Sequence, residues 1–138
     1  MYEKFGQFID GKWQASEKNE TYEVINPANE EIIGHASKAT SVDVNKALKS
    51  AEKGFEVWKK TPPWKRSSII RKIADLIRSK QDILAKWLTL EVGKPFVEGK
   101  GEAGSAADIF EWNAEETKRI YGQTVESRFE DTRVHVYY

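Results

Sequence analysis

The sequence predicts an α/β fold in which short antiparallel strands flank a block of amphipathic helices. Three observations carry this. The first forty residues form apolar and aromatic runs broken by turn residues; residues 40–122 repeat apolar side chains at helical spacing; and the last eight, "DTRVHVYY", return to alternation. The expected organisation is one unit over 1–138: strands over 1–39, helices over 40–122, and a linker over 123–138 that leads into a final strand.

Each element has a local reason. "FGQFIDGKWQ" places Asp10-Gly11 between two aromatic-containing runs, a strong hairpin signal. "TYEVINP" alternates Tyr22, Val24 and Asn26 against Glu23 and Ile25, and Pro27, with no N–H for a ladder, ends it. "EIIGHASKA" is a third strand, weakened by Gly34. From Thr40 to Lys60, Val44, Ala47, Leu48, Ala51, Phe55 and Trp58 share one helical face. Thr40 to Asp43 has the shape of a capping box, and Pro62-Pro63 ends the helix. A second helix begins near Trp64 with the stripe Ile69, Ile70, Ile73, Leu76 and Ile77, while Arg66, Arg71, Lys72 and Arg78 mostly face water. "RSKQD" at 78–82 is a candidate break before Ile83, Leu84, Trp87 and Leu88; Gly93 and Pro95 give the stop. Residues 96–121 are helical again, with Gly99, Gly101, Gly104, Ser105, Ala106 and Ala107 crowding the first half and Gly122 as the cap. Helical glycine costs about 1 kcal/mol relative to alanine, so small residues there imply close approach of a neighbour or a ligand. "QTVESRFED" is a polar stretch leading to the last strand, where Val134, Val136 and Tyr138 form the face to be buried.

Composition narrows the function classes. A chain of 138 residues buries roughly 70% of its unfolded surface, enough for a core. Lysine plus arginine and aspartate plus glutamate are 22 each, so no basic field invites nucleic acid. Without cysteine there is no disulfide, thiolate metal site or cysteine nucleophile within these residues. No apolar run approaches the ~20 residues of a membrane span. The start, "MYEKFGQFID", lacks the apolar core of a secretory signal, so the expected location is cytoplasmic, with neither nucleic acid nor membrane as partner.

Several motifs fail on chemistry. "GKGEAG" at 99–104 fits G-x-G-x-x-G in letters, but a dinucleotide loop needs a strand before it, and Glu102 would repel phosphate. "EVGKP" lacks the first glycine and the Ser or Thr of a phosphate loop. His35 and His135 have no partner at metal-ligand spacing. Glu111, Glu115 and Arg119 make an ordinary helix-surface charge pattern. No catalytic constellation emerges from the residues alone.

In order, "FIDGKW", "VINPANEEIIG", "LTLEVGKPFVEGKGE" and "FEWNAEETKRIYG" resemble the N-terminal part of an NAD(P)-dependent aldehyde dehydrogenase over roughly residues 7–138. The last of these looks most like the succinate-semialdehyde dehydrogenase branch. The resemblance implies oxidation of a small aldehyde, succinate semialdehyde being a candidate, through thiolate attack, hydride transfer to NAD or NADP, and hydrolysis. It also implies that the dinucleotide site, the nucleophilic Cys and the general-base Glu lie beyond these residues, so that no catalytic or cofactor-binding residue is expected here. The isolated chain is expected to be an inactive fragment, cut ahead of the cofactor site.

Carried over by position, Val24 and Ile25 carbonyls and the Glu91 carboxylate correspond to a sodium or potassium site, oxygen ligands that suit a hard cation. The alternative for Glu91 is a helix-end carboxylate bonded to local N–H groups. Gly101 and Ser105 correspond to positions lining the aldehyde tunnel; helix packing is the alternative. "RVHVYY" is similar to the start of an oligomerisation strand, so the full enzyme is expected to be a homo-oligomer. The rival reading is a free-standing, non-catalytic interaction module or assembly partner.

Overall fold

The computed structural model describes residues 6–138. Residues 1–5 of the stretch "MYEKFGQFID", expected to carry no secretory signal, and with them Phe5 of the first hairpin, lie outside the described residues.

Strands β1 (Gln7–Ile9) and β2 (Lys12–Gln14) pair antiparallel. Asp10 and Gly11 both take positive φ, 54° and 74°, as a two-residue mirror-image turn requires. Phe8 stands opposite Trp13, with ring centroids 5.1 Å apart. β3 (Thr21–Ile25) pairs antiparallel with β4 (Ile32–Ser37). The two ribbons are joined by buried Ser16, whose N–H donates to Ser37 Oγ at 3.1 Å.

Helix α1 (Ser41–Trp58) starts on the predicted capping box. Thr40 Oγ1 accepts from the Asp43 N–H, and the Asp43 carboxylate accepts from the Thr40 N–H at 2.9 Å. Asp43 is buried and also accepts from the Glu17 N–H, so one carboxylate holds the helix start and the chain after β2 together. Helix α2 (Pro63–Ser79) opens on a proline at its first position, where the missing N–H has no intrahelical partner to lose. Lys80 alone separates it from α3 (Gln81–Val92), which confirms the expected break. Gly93 closes α3 with φ 76°, its N–H donating to Thr89 O at 3.0 Å.

Helix α4 (Phe96–Glu116) is shorter than predicted. A 3-10 turn at Thr117–Arg119 follows, and the chain has left helical geometry by Ile120, so Gly122 is not a cap. Its backbone instead lies so close to the Val136 carbonyl that a Cβ would not fit. The polar stretch expected as linker contains β5 (Gln123–Glu126), which pairs antiparallel with β6 (Arg133–Val136). Its alternation of polar side chains carries no apolar signal, which is why periodicity missed it. The expected buried face of the last strand is largely open: Val134 and Tyr138 are exposed and Val136 is half-buried.

The core departs from expectation. α4 lies across α2 and α3, and the contact is built from Ala74, Ala85, Ala103, Ala107 and Ala114 with Ser67 and Gly99. Small side chains let helix axes approach closely, and the larger ones are turned out to the rims. Among the described residues no large side chain is fully buried, and the predicted stripe of α2 is half open, with Leu76 57% exposed.

Candidate functional site

The turn that follows Val24 and Ile25 packs on the end of α3, two residues beyond Glu91. After β3, buried Asn26 organises a tight turn: its Oδ1 accepts from the Ala28 N–H at 3.0 Å and its carbonyl from the Glu30 N–H at 2.8 Å. The turn presents Pro27 to the end of α3, where a Cβ on Gly93 would lie 3.0 Å from Pro27 Cγ. Glycine is therefore required there twice, for its positive φ and for this approach. The ladder between β3 and β4 steps from Val24↔Gly34 to Ile25↔Ile32, which leaves Ile33 without a partner and breaks the pairing at the Val24–Ile25 peptide.

Val24 is half-buried and Ile25 exposed. The exposed Glu91 side chain lines a groove between α3 and α4, beside Leu88 and Glu102. Among the described residues no hydrogen bond or ion pair engages the Glu91 carboxylate, whereas Glu102 is paired with Lys94 at 2.5 Å. No group of three or more His, Cys, Asp or Glu among the described residues is gathered for a metal. The donor set here would be two carbonyls and one carboxylate, all hard oxygen.

α4 has two unlike faces. Gly99, Ala103, Ala107 and Ala114 pack inward; a Cβ on Gly99 would stand 3.1 Å from the Ala85 carbonyl oxygen. Gly101 and Ser105, one helical turn apart, lie on the exposed side, and a Cβ on Gly101 would meet nothing within 4 Å. Packing within the described residues thus explains Gly99 but not Gly101. "GKGEAG" lies wholly inside this helix and follows α3 rather than a strand, which removes the geometry of a dinucleotide loop.

The carboxylates of α4 form a structural ladder. Arg71 bonds Glu111 at 2.9 Å and also Glu115, and Arg78 bonds Asp108 at 2.8 Å and Glu111 at 2.6 Å. The bond to Asp108, then that to Glu111, raises the Arg78 guanidinium above its ordinary value. The Lys118 hydrogen bond, helped by Arg71, holds Glu115 below the ordinary carboxylate range. The expected Glu115–Arg119 pair does not form; Arg119 turns to Glu116. Sequence spacing within one helix could not show Arg71 and Arg78 arriving from another.

Three two-stranded antiparallel ribbons and a helix layer define a mixed α/β segment, with no reactive constellation among the described residues. Comparison with known proteins gives that class its name: the aldehyde dehydrogenase family model matches residues 13–138, and the chain belongs to this family. Its fold is that of the N-terminal part of solved members. An Escherichia coli NADP-dependent enzyme superposes with TM-score 0.87 at 37% identity, over 92% of this chain and 26% of that one. A betaine aldehyde dehydrogenase of Staphylococcus aureus, solved with NAD+, superposes with TM-score 0.86 at 30% identity, over 94% and 27%. In sequence, the chain is 38% identical to a glutarate-semialdehyde dehydrogenase of Pseudomonas aeruginosa over 94% of its length and 27% of the relative's. It is 39% identical to a succinate semialdehyde dehydrogenase of Acinetobacter baylyi, over 93% and 26%. The chain therefore spans about a quarter of the length of these relatives. These relatives give no support to a free-standing, non-catalytic module. No helix among the described residues is long and apolar enough to cross a membrane.

Proposed function

We propose that these residues are the N-terminal segment of an NAD(P)-dependent aldehyde dehydrogenase that oxidises a small semialdehyde of a dicarboxylic acid, succinate semialdehyde among them. The match over residues 13–138 carries the reading. The substrate class is supported by the names of the relatives, glutarate- and succinate-semialdehyde dehydrogenases, whose substrates bear an aldehyde at one end and a carboxylate at the other. The reactive thiolate and the site for NAD or NADP belong to residues outside these 138, which contain no cysteine. The bound nicotinamide would accept the hydride. The whole enzyme is read as a cytoplasmic homo-oligomer.

Within this scheme the chain supplies support and shape. Val24 and Ile25 carbonyls with the Glu91 carboxylate would hold a sodium or potassium ion; family likeness supports this, and the Glu91 carboxylate makes no hydrogen bond or ion pair among the described residues. Gly101 and Ser105 would leave room for the aldehyde along the open face of α4.

The test is a hybrid: this chain joined to the remaining three quarters of the Pseudomonas aeruginosa glutarate-semialdehyde dehydrogenase. With a semialdehyde and NAD or NADP, the hybrid should reduce cofactor and the 138-residue chain alone should not. Turnover by the chain alone, or none by a folded hybrid, would overturn the reading. Ser105→Trp in the hybrid should raise KM several-fold with thermal unfolding unchanged; unaltered kinetics would remove Ser105 from the tunnel.

A further inference from the structure

We infer that Glu102 is a positioning residue for the proposed alkali-metal site: it holds the Lys94 ammonium off the Glu91 carboxylate and so keeps that carboxylate free for the ion. This rests on the reading of Val24, Ile25 and Glu91 as ion ligands, and adds to it a residue that touches no ion. The last turn of α3 carries Glu91 and no basic residue. The unsatisfied carbonyls of a helix end already bear partial negative charge, so this end attracts a cation. Glu91 lines a groove whose walls, Leu88 and Ala103 among them, are apolar except for Glu102, and no basic side chain lines it.

The ammonium closest to Glu91 in sequence is that of Lys94. Its backbone has little choice of direction, fixed between Gly93 at φ 76° and Pro95. Its side chain is only 20% exposed and its Nζ lies 2.5 Å from Glu102 Oε1, whereas the Glu91 carboxylate has no hydrogen bond or ion pair among the described residues. Leaving a largely covered charge uncompensated is costly, so an ammonium that loses its partner turns to another carboxylate. Glu98 is one choice, but it sits in the first turn of α4, where the positive helix N-terminus already stabilises it in place. Glu91, at the negative end of α3, is the other. An ammonium and an alkali ion carry the same charge, so Lys94 on Glu91 would exclude the ion.

The test is the hybrid's unfolding temperature, titrated with potassium or sodium chloride and balanced to constant ionic strength with choline chloride. The parent hybrid should gain stability with the ion, and Glu91→Gln should not. Glu102→Gln should raise the ion concentration needed for half of that gain several-fold, and adding Lys94→Met should restore it. A carbodiimide, which links an amine to a carboxylate only where they touch, reads the ammonium directly. By mass spectrometry, Lys94 should be joined to Glu102 in the parent and to Glu91 in Glu102→Gln. An unshifted titration in Glu102→Gln, no restoration by Lys94→Met, or a Lys94–Glu98 link in place of Lys94–Glu91 would overturn the inference. A parent hybrid indifferent to both ions would remove the ion site and this role together; a responsive parent with an unshifted Glu102→Gln would remove the role of Glu102 alone. None of these readouts needs turnover, so a folded but inactive hybrid still decides the inference.

Discussion

Asp43 ties more of this chain together than any other carboxylate among the described residues. Its Thr40 backbone bond, opposed by burial and helped by the Glu17 N–H and the Thr40 hydroxyl, lowers its pKa below the ordinary 3.8. A depressed folded value means the stabilisation is fully present above 3.8 and is lost as pH falls through the folded value. Asp43→Asn should therefore destabilise the hybrid at neutral pH. The gap to the parent should close below about pH 4, read from urea midpoints across pH. Glycines give a sharper contrast. Gly93→Ala forces a side chain into positive φ against Pro27 and should cost about 1–2 kcal/mol. Gly101→Ala, in open helix, should gain up to about 1 kcal/mol, whereas Gly99→Ala meets the Ala85 carbonyl and should not. Equal shifts for Gly99 and Gly101 in thermal unfolding would contradict the two-faced α4.

Between elements, the α2–α4 seam combines an alanine contact with an ion ladder at its edge. The ladder's side chains are partly exposed, so salt screens it. Arg78→Ala should lower the hybrid's unfolding temperature modestly at low ionic strength, and the difference should fade near ~1 M salt. A salt-independent loss would mean that Arg78 acts through packing of its stem instead. The β5–β6 ribbon shows the opposite economy. Its strands satisfy one another, and Thr124 Oγ1 lies 3.1 Å from His135 Nδ1, but its outer surfaces carry exposed Val125, Val134 and Tyr137.

Over the whole molecule, alanine seams hold three helices together while large apolar side chains face outward. A protein with this distribution is stable when something covers it, and the hybrid experiment is the prediction at this scale. Legibility in the sequence follows the same division. The Asp10-Gly11 turn, the Thr40–Asp43 box, the break near Lys80 and the Gly93 stop were readable because each rests on backbone chemistry within a few residues. The early end of α4 and strand β5 were not, because one depends on where the chain must turn and the other, with no apolar rhythm of its own, forms by pairing with β6.

Of the candidate site, residue identities came from family likeness, and spacing alone would not have singled out Val24, Ile25, Glu91, Gly101 or Ser105. The structure contributed what no local pattern holds: that Pro27 rests on Gly93, that Gly99 and Gly101 face opposite ways, and that Arg71 and Arg78 reach the carboxylates of α4. Local chemistry decides where the backbone turns, caps and stops. Which face of a helix is buried is decided by what lies against it, and for α1 the sequence marks the apolar face while the fold leaves it open.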